Sequence, residues 1–244
     1  MIRVEHDGAL AFVVIDRADR RNALMPEMLV AMRDRAAEAA KTARVLVLRG
    51  EGAVFCSGFD LKLCREHPDG SVMRALLTNL GAVIGALRAL PIPVVVAAHG
   101  AAIAGGCALL GGADVAVADR GAKLGYPVVK IGVSPAVSAP FLRLGTGDGA
   151  ARARLLEPEL ISGEEAARVG LVHALVDRPA DVLPRAIEIA RDLAGKPPHT
   201  IAATKAWLNE IDGAGAFAAR GLDVSLGLAG GEEERERLER AIRP

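Results

Sequence analysis

The sequence is poor in the features that announce most ligands. Only 3% of its 244 residues are aromatic, which argues against base-stacking platforms and aromatic sugar floors. Lys+Arg and Asp+Glu each number 30, for a net charge of +0. That argues against a partner held by bulk charge, so neither nucleic acid nor a membrane is expected, although a local basic patch for a phosphate-bearing ligand is allowed. The cysteines, Cys56, Cys64 and Cys107, form no CxxC pair. An odd count gives no disulfide framework, and a reduced, cytoplasmic setting is the simplest expectation. The stretch Met1–Asp7 has no signal-peptide apolar region. There is no Walker A loop, no G-x-S-x-G elbow and no HExxH. The five histidines (His6, His67, His99, His173, His199) lack metal-ligand spacing, so neither a metal nor a resident cofactor is expected.

What is present is an ordinary globular composition, 51% hydrophobic and 25% charged, enough to bury a sizeable core. Leu10–Ile15, Val45–Leu48, Val94–Ala98 and Val115–Ala118 are short apolar runs that read as buried strands. Helical spacing marks a segment opening at Pro26 and another over Val72–Leu90, ended by Pro91 and Pro93. Strands alternating with helices predict an α/β core with parallel strands. Val94–Ala113 is nearly long enough to span a bilayer, but its glycines and its opening Val-Val-Val run favour a strand, a turn and a short helix. From about Gly149 onward the sequence turns helical, with helices over Val182–Leu193 and Thr200–Ile211. The tail carries Glu233–Arg237, Glu236–Arg240 and Glu239–Arg243 at i,i+4, a solvated helix face. These patterns predict an α/β body over 1–190 and a helical part over 191–244.

Two places share one local design. Strand Val45–Leu48 leads through Arg49-Gly50 to Phe55-Cys56-Ser57-Gly58-Phe59-Asp60, and strand Val94–Ala98 leads through His99-Gly100 to Ala104-Gly105-Gly106-Cys107. Small residues let a ligand approach the backbone, and free N–H groups attract negative charge. Two such turns on neighbouring strands could aim two N–H groups at one oxygen, as in an oxyanion hole. The same glycines would equally serve close packing of helix on strand.

At these residues the sequence resembles the crotonase, or enoyl-CoA hydratase/isomerase, superfamily, along nearly its whole length. Arg20-Arg21-Asn22-Ala23-Leu24 is similar to the family's "RRNAL", and Phe55–Leu61 to its "FCAGADL". His99-Gly100 with Ala104–Cys107 resembles "NG…GGGCE"; Gly125-Tyr126-Pro127 with Lys130-Ile131-Gly132 resembles "G-x-P-E-x-x-x-G". Ile161–Ala166 and Gly170-Leu171-Val172 match "ISAEEA…GLV". Five weak motifs in order are specific together. The resemblance implies a spiral of ββα units with a helical C-terminal part that forms a homotrimer or a dimer of trimers. It implies an acyl-CoA thioester as ligand, with coenzyme A entering as part of the substrate. The backbone N–H groups of Ser57 and Gly105 would hold the thioester oxygen. Arg21, Ala23, Asp60 and Leu61 would line the CoA side, with Lys205 as a further CoA contact.

The departures are as informative. Where the resemblance puts the family's two catalytic glutamates, this sequence has Ala108 and Val128, and neither can carry a proton. Losing one general acid or base typically costs about 10²–10⁴-fold. A displaced acid/base is then sought at Glu66, His67 and Asp69, with Tyr126, Ser134 and Ser138 as polar residues near the second half-site; each could equally be a solvated turn residue. Three readings follow. The protein is an enoyl-CoA hydratase/isomerase-like enzyme (lyase, isomerase or thioester hydrolase) working without the glutamate pair, a non-catalytic acyl-CoA-binding protein, or an assembly subunit that has lost CoA.

Overall fold

The computed structural model describes residues 1–241. In chain order its elements are β1 (Ile2–Asp7), β2 (Leu10–Ile15), α1 (Pro26–Ala39), β3 (Val45–Gly50), α2 (Leu61–Glu66) and α3 (Ser71–Ala89). Then come β4 (Val94–Ala98), β5 (Ala101–Ile103), α4 (Gly105–Ala108), β6 (Val115–Asp119), β7 (Lys123–Gly125), α5 (Ala139–Leu156) and β8 (Ile161–Ser162). The chain continues through α6 (Gly163–Arg168), β9 (Ala174–Val176), α7 (Pro179–Ala194), α8 (Pro198–Asp212), α9 (Ala214–Leu228) and α10 (Glu232–Ala241).

The main sheet has the order β1-β2-β3-β4-β6-β9, antiparallel at β1/β2 and parallel throughout the rest. Its strands are continuous apolar runs because both faces are covered. On one face α7 presents Val182, Ala186 and Ala190 to Phe12, Val47, Val95 and Val117. On the other, α1 and α3 bury Leu29, Met32, Leu76, Leu80 and Ile84 against Val13, Leu46, Leu48 and Val96. Helix α3 is long and apolar enough by composition to cross a membrane, yet its Met73, Leu76, Leu77, Leu80, Val83, Ile84 and Leu87 form its buried face in this core.

A second, three-stranded sheet has the order β5-β7-β8. It was not foreseen. β5 is only Ala-Ala-Ile, too short to show a period, and it exists because β7 and an isolated bridge from Cys56 to Ala102 pair with it. The Val94–Ala113 stretch accordingly divides into β4, β5 and α4. The expected division at residue 190 falls inside α7, which runs on to Ala194 because it packs along the sheet. The helical part begins after it, and α9 docks on α3 and α5. On α10, Arg240 bonds Glu236 at 3.3 Å; the Glu239–Arg243 pair lies outside the described residues.

Candidate functional site

The two glycine turns meet. The carbonyl of Cys56 accepts from Ile103 N–H at 3.0 Å, and its own N–H donates to Ala101 at 3.0 Å. A Cβ on Gly106 would sit 2.6 Å from the Cys56 carbonyl oxygen, so only glycine lets the two turns approach this closely. Burial pushes the Cys56 thiol up to about 12; it is neutral packing, and Asn22 and Gly58 carbonyls face it at 3.2 and 4.0 Å.

The turns nevertheless present different donors. At the second, Ala104 holds φ 52, ψ −115, a left-handed geometry that an L side chain adopts only under strain. This conformation starts α4 and leaves the Gly105 N–H without a backbone acceptor among the described residues. At the first, the Ser57 N–H already donates to the Arg21 carbonyl at 3.0 Å. The open N–H of the first turn is therefore not at Ser57 but two residues on, at Phe59, which has no backbone acceptor among the described residues. The cause lies in the Arg17–Leu24 loop, where Arg21 (φ 53) and Asn22 (φ 57) are consecutive left-handed residues. Asn22 is fully buried. Its Nδ2 donates to the carbonyls of Glu51, Val54 and Phe55 at 2.8, 2.9 and 3.1 Å, and its Oδ1 accepts from Arg17 N–H at 3.0 Å.

The residues expected on the CoA side do come together around this loop. Leu24 pairs with Phe59 in an isolated bridge, and the Asp60 N–H donates to the Leu24 carbonyl at 2.9 Å. Asp60 is the N-cap of α2, accepting from Leu63 N–H at 3.2 Å, and pairs with Arg17 at 2.8 Å. Partial burial raises its pKa, but the Arg17 guanidinium and the cap outweigh that and hold the carboxyl below its usual range. Asp60 thus works as scaffold. The Arg21 side chain is exposed, and Ala23 and Leu61 are partly so.

Lys205 does not join them. It is buried, and its Nζ donates to the Leu87 and Ile92 carbonyls at 3.2 and 3.0 Å and to Asp114 at 2.6 Å. All three N–H donors are used, so the expected CoA contact is corrected to a tie between α8, α3 and the entry to β6. Burial lowers its pKa, opposed by Asp114.

A small cavity opens beside Gly105. Phe59, Leu77, Leu80, Ala104, Ala108, Val128, Val133, Pro135 and Val137 line it, together with Tyr126, Ser134 and Ser138. Ala108 and Val128 do face one space, so the two positions are brought together, and none of the residues lining that space is a carboxylate or histidine. Tyr126 is buried. Burial, with the Cys107 thiol beside it, pushes its hydroxyl well above the usual phenol range, while Ser138 opposes the shift. It stays protonated and can donate but not abstract a proton. The far wall, residues 133–138, is tied to α9 by Ser225, whose Oγ donates to the Ser134 carbonyl at 2.9 Å and accepts from Val137 N–H at 3.3 Å. Sequence reasoning missed Ser225, since an isolated serine in a helix carries no signal.

The displaced acid/base candidates lie elsewhere. Glu66, His67 and Asp69 are exposed at the end of α2 and before α3. Glu66 reaches Lys62 at 4.0 Å, the His67 Nδ1 lies 3.0 Å from the Leu63 carbonyl, and Asp69 accepts from the backbone and side chain of Ser71 at 3.1 and 2.7 Å. They close a turn, as polar residues between two helices commonly do.

Two apposed glycine turns on an α/β core thus border one apolar cavity. The sequence matches the enoyl-CoA hydratase/isomerase family over residues 5–223, and the chain belongs to that family. It is 31% identical to the crotonyl-CoA hydratase of Syntrophomonas wolfei over 218 residues, covering 86% of this chain and 81% of that one. The short-chain-enoyl-CoA hydratase of Clostridium acetobutylicum is 30% identical, with 88% and 85% covered. Among solved structures, an enoyl-CoA hydratase/isomerase from Xanthobacter autotrophicus Py2 superposes with a TM-score of 0.89 at 28% identity, covering 98% of this chain and 92% of that one.

Proposed function

We propose that this protein binds an acyl-CoA thioester with the thioester oxygen at the Gly105 N–H, and acts on it without the glutamate pair of the hydratases it resembles. One observation carries the reading: an open N–H borders an apolar cavity whose lining includes no carboxylate and no histidine. Such a site stabilises negative charge on the thioester oxygen. It offers no group to activate water or to abstract an α-proton, so hydration of an enoyl group is the chemistry it supports least. The Phe59 N–H, likewise without a backbone acceptor among the described residues, would be the second donor. The CoA moiety would lie along Arg21, Ala23 and Leu61, where the exposed guanidinium suits its phosphates.

A non-catalytic acyl-CoA-binding role is the second reading. It is favoured by the cavity lining, which includes no carboxylate and no histidine. For either role we propose a homotrimer or a dimer of trimers. Trp207, Leu208, Ile211, Phe217, Val224 and Leu228 on α8 and α9 stay exposed in the single chain, an apolar set that self-association would cover. The three free, buried cysteines suit a reducing, cytoplasmic setting.

The test pairs two measurements. Calorimetry with butyryl-CoA should show saturable binding. Crotonyl-CoA kept with stoichiometric protein in ¹⁸O-water should give no labelled 3-hydroxyacyl-CoA by mass spectrometry. Labelled product would overturn the view that the site lacks a water-activating group, and absence of any CoA binding would overturn the reading altogether.

A further inference from the structure

The cavity beside Gly105 is far smaller than an acyl chain. Its volume is about 20 Å³, and a single water already needs roughly 10–15 Å³ on that measure. The walls are not equally fixed. Leu77, Leu80 and Val137 are buried core side chains, and the 133–138 segment is tied down by Ser225. Of the two aromatic rings on the lining, Tyr126 is buried beside its Cys107 and Ser138 partners. Phe59 has no polar atom on its ring and is partly exposed.

Phe59 also sits where it matters most. A Cβ built on Gly105 would lie 2.8 Å from Phe59 Cε1 and 3.0 Å from Cδ1, so the ring rests on the backbone of the residue that carries the open donor. The backbone of Phe59 is held on both sides, by the bridge to Leu24 and by the Asp60 cap. Only its ring is free to turn, about two side-chain torsions.

We propose that Phe59 sets the acyl-chain length this site accepts: its ring fills the space that a longer chain would occupy and so restricts the ligand to the shortest acyl-CoA thioesters. The inference rests on the acyl-CoA reading above and specifies its substrate class. With the ring in place, each methylene beyond the first few must either displace it or stay in water. With the ring removed, each further methylene is buried, at roughly fourfold in affinity apiece.

The experiment measures dissociation constants for acetyl-, butyryl-, hexanoyl- and octanoyl-CoA by calorimetry, for the unaltered protein, Phe59→Leu and Phe59→Ala. Thermal melting checks that each variant is folded. The unaltered protein should bind acetyl-CoA at least as well as hexanoyl-CoA. In Phe59→Ala the hexanoyl-to-acetyl affinity ratio should rise about tenfold or more, with Phe59→Leu between the two, so the leucine variant still decides the matter should the alanine variant not fold. An unchanged ratio in both folded variants, with CoA esters still bound, overturns the role of Phe59 alone. An unaltered protein that binds none of the four overturns the acyl-CoA reading and this inference with it.

Discussion

The two glycine turns look alike in sequence and end up differently. Each follows a buried parallel strand, and each was expected to offer one N–H. In the second, the strained Ala104 sends the chain into α4 and leaves the Gly105 N–H open. In the first, the Ser57 N–H is taken by the Arg21 carbonyl and the open N–H lies two residues on, at Phe59. The difference is not in the turns themselves. It comes from a loop more than thirty residues upstream in the chain, where Asn22 anchors two left-handed residues so that a carbonyl faces Ser57. A turn's composition fixes how near a ligand can come; what lies opposite decides which donor is free.

The largest effect should come from breaking the anchor of the first turn. Asn22→Ala leaves buried carbonyls without a donor and puts a Cβ-bearing residue in left-handed geometry without its compensating bonds. A loss of about 3 kcal/mol in urea unfolding is expected. Asn22→Gly, which keeps the geometry, should lose less; equal losses would show that the hydrogen bonds alone matter. Next comes the contact between the turns. Gly106→Ala forces a Cβ against the Cys56 carbonyl and should cost about 1–3 kcal/mol. A variant as stable as the parent would mean that the turns can part freely.

The second turn can be sharpened in the opposite direction. Ala104→Gly removes left-handed strain of about 1–3 kcal/mol, offset by about 0.5–1 kcal/mol of added freedom in the unfolded chain. A net gain of about 1 kcal/mol is expected by the same unfolding measurement. A loss would mean that the Ala104 Cβ contributes packing that outweighs its strain.

The smallest effect concerns α10, which lies against α2, the helix that follows the first turn. Glu234 is buried there, with its carboxylate accepting from the Gly230 N–H at 2.6 Å. Burial holds its carboxyl above the usual range, opposed by the Gly230 N–H and by Arg74. The folded protein therefore keeps this proton to higher pH than the unfolded chain does. The contribution is complete below about pH 4, the ordinary carboxylate range, and is lost as pH rises through the folded value. Glu234→Gln should flatten that part of the stability profile, read from melting temperatures across pH. Superimposable profiles would contradict it.

Much of the fold was legible. β2, β3 and β4 are uninterrupted apolar runs because both faces of the parallel sheet are covered, and α3 repeats its apolar residues every three or four positions. Helix α9 was not seen. Gly215, Gly221 and Gly227 blur its pattern, and docking on α3 and α5 sets it. β5 could not be seen in three residues whose partners are remote.

The site was half legible. The turns and the apolar residues at positions 108 and 128 were open to reading. The strain at Ala104 and the ring at Phe59 were also written there, as an alanine and a phenylalanine where the family motif has glycine and alanine. Their meaning depends on a contact between residues 59 and 105 that spacing does not reveal. Lys205 misled because the resemblance puts CoA contacts in the C-terminal helical region. That Asp114 would meet it across 91 positions is a property of the packed chain.

The proposed hydrogen bond from the Gly105 N–H to a thioester oxygen is read directly by isotope-edited infrared spectroscopy. Butyryl-CoA labelled with ¹³C at the thioester carbonyl should show, when bound, a carbonyl band moved to lower wavenumber than in buffer, since a donor at that oxygen weakens the C=O bond. A saturably bound ligand whose band stays at its solution position, or moves upward as in an apolar solvent, would contradict the account.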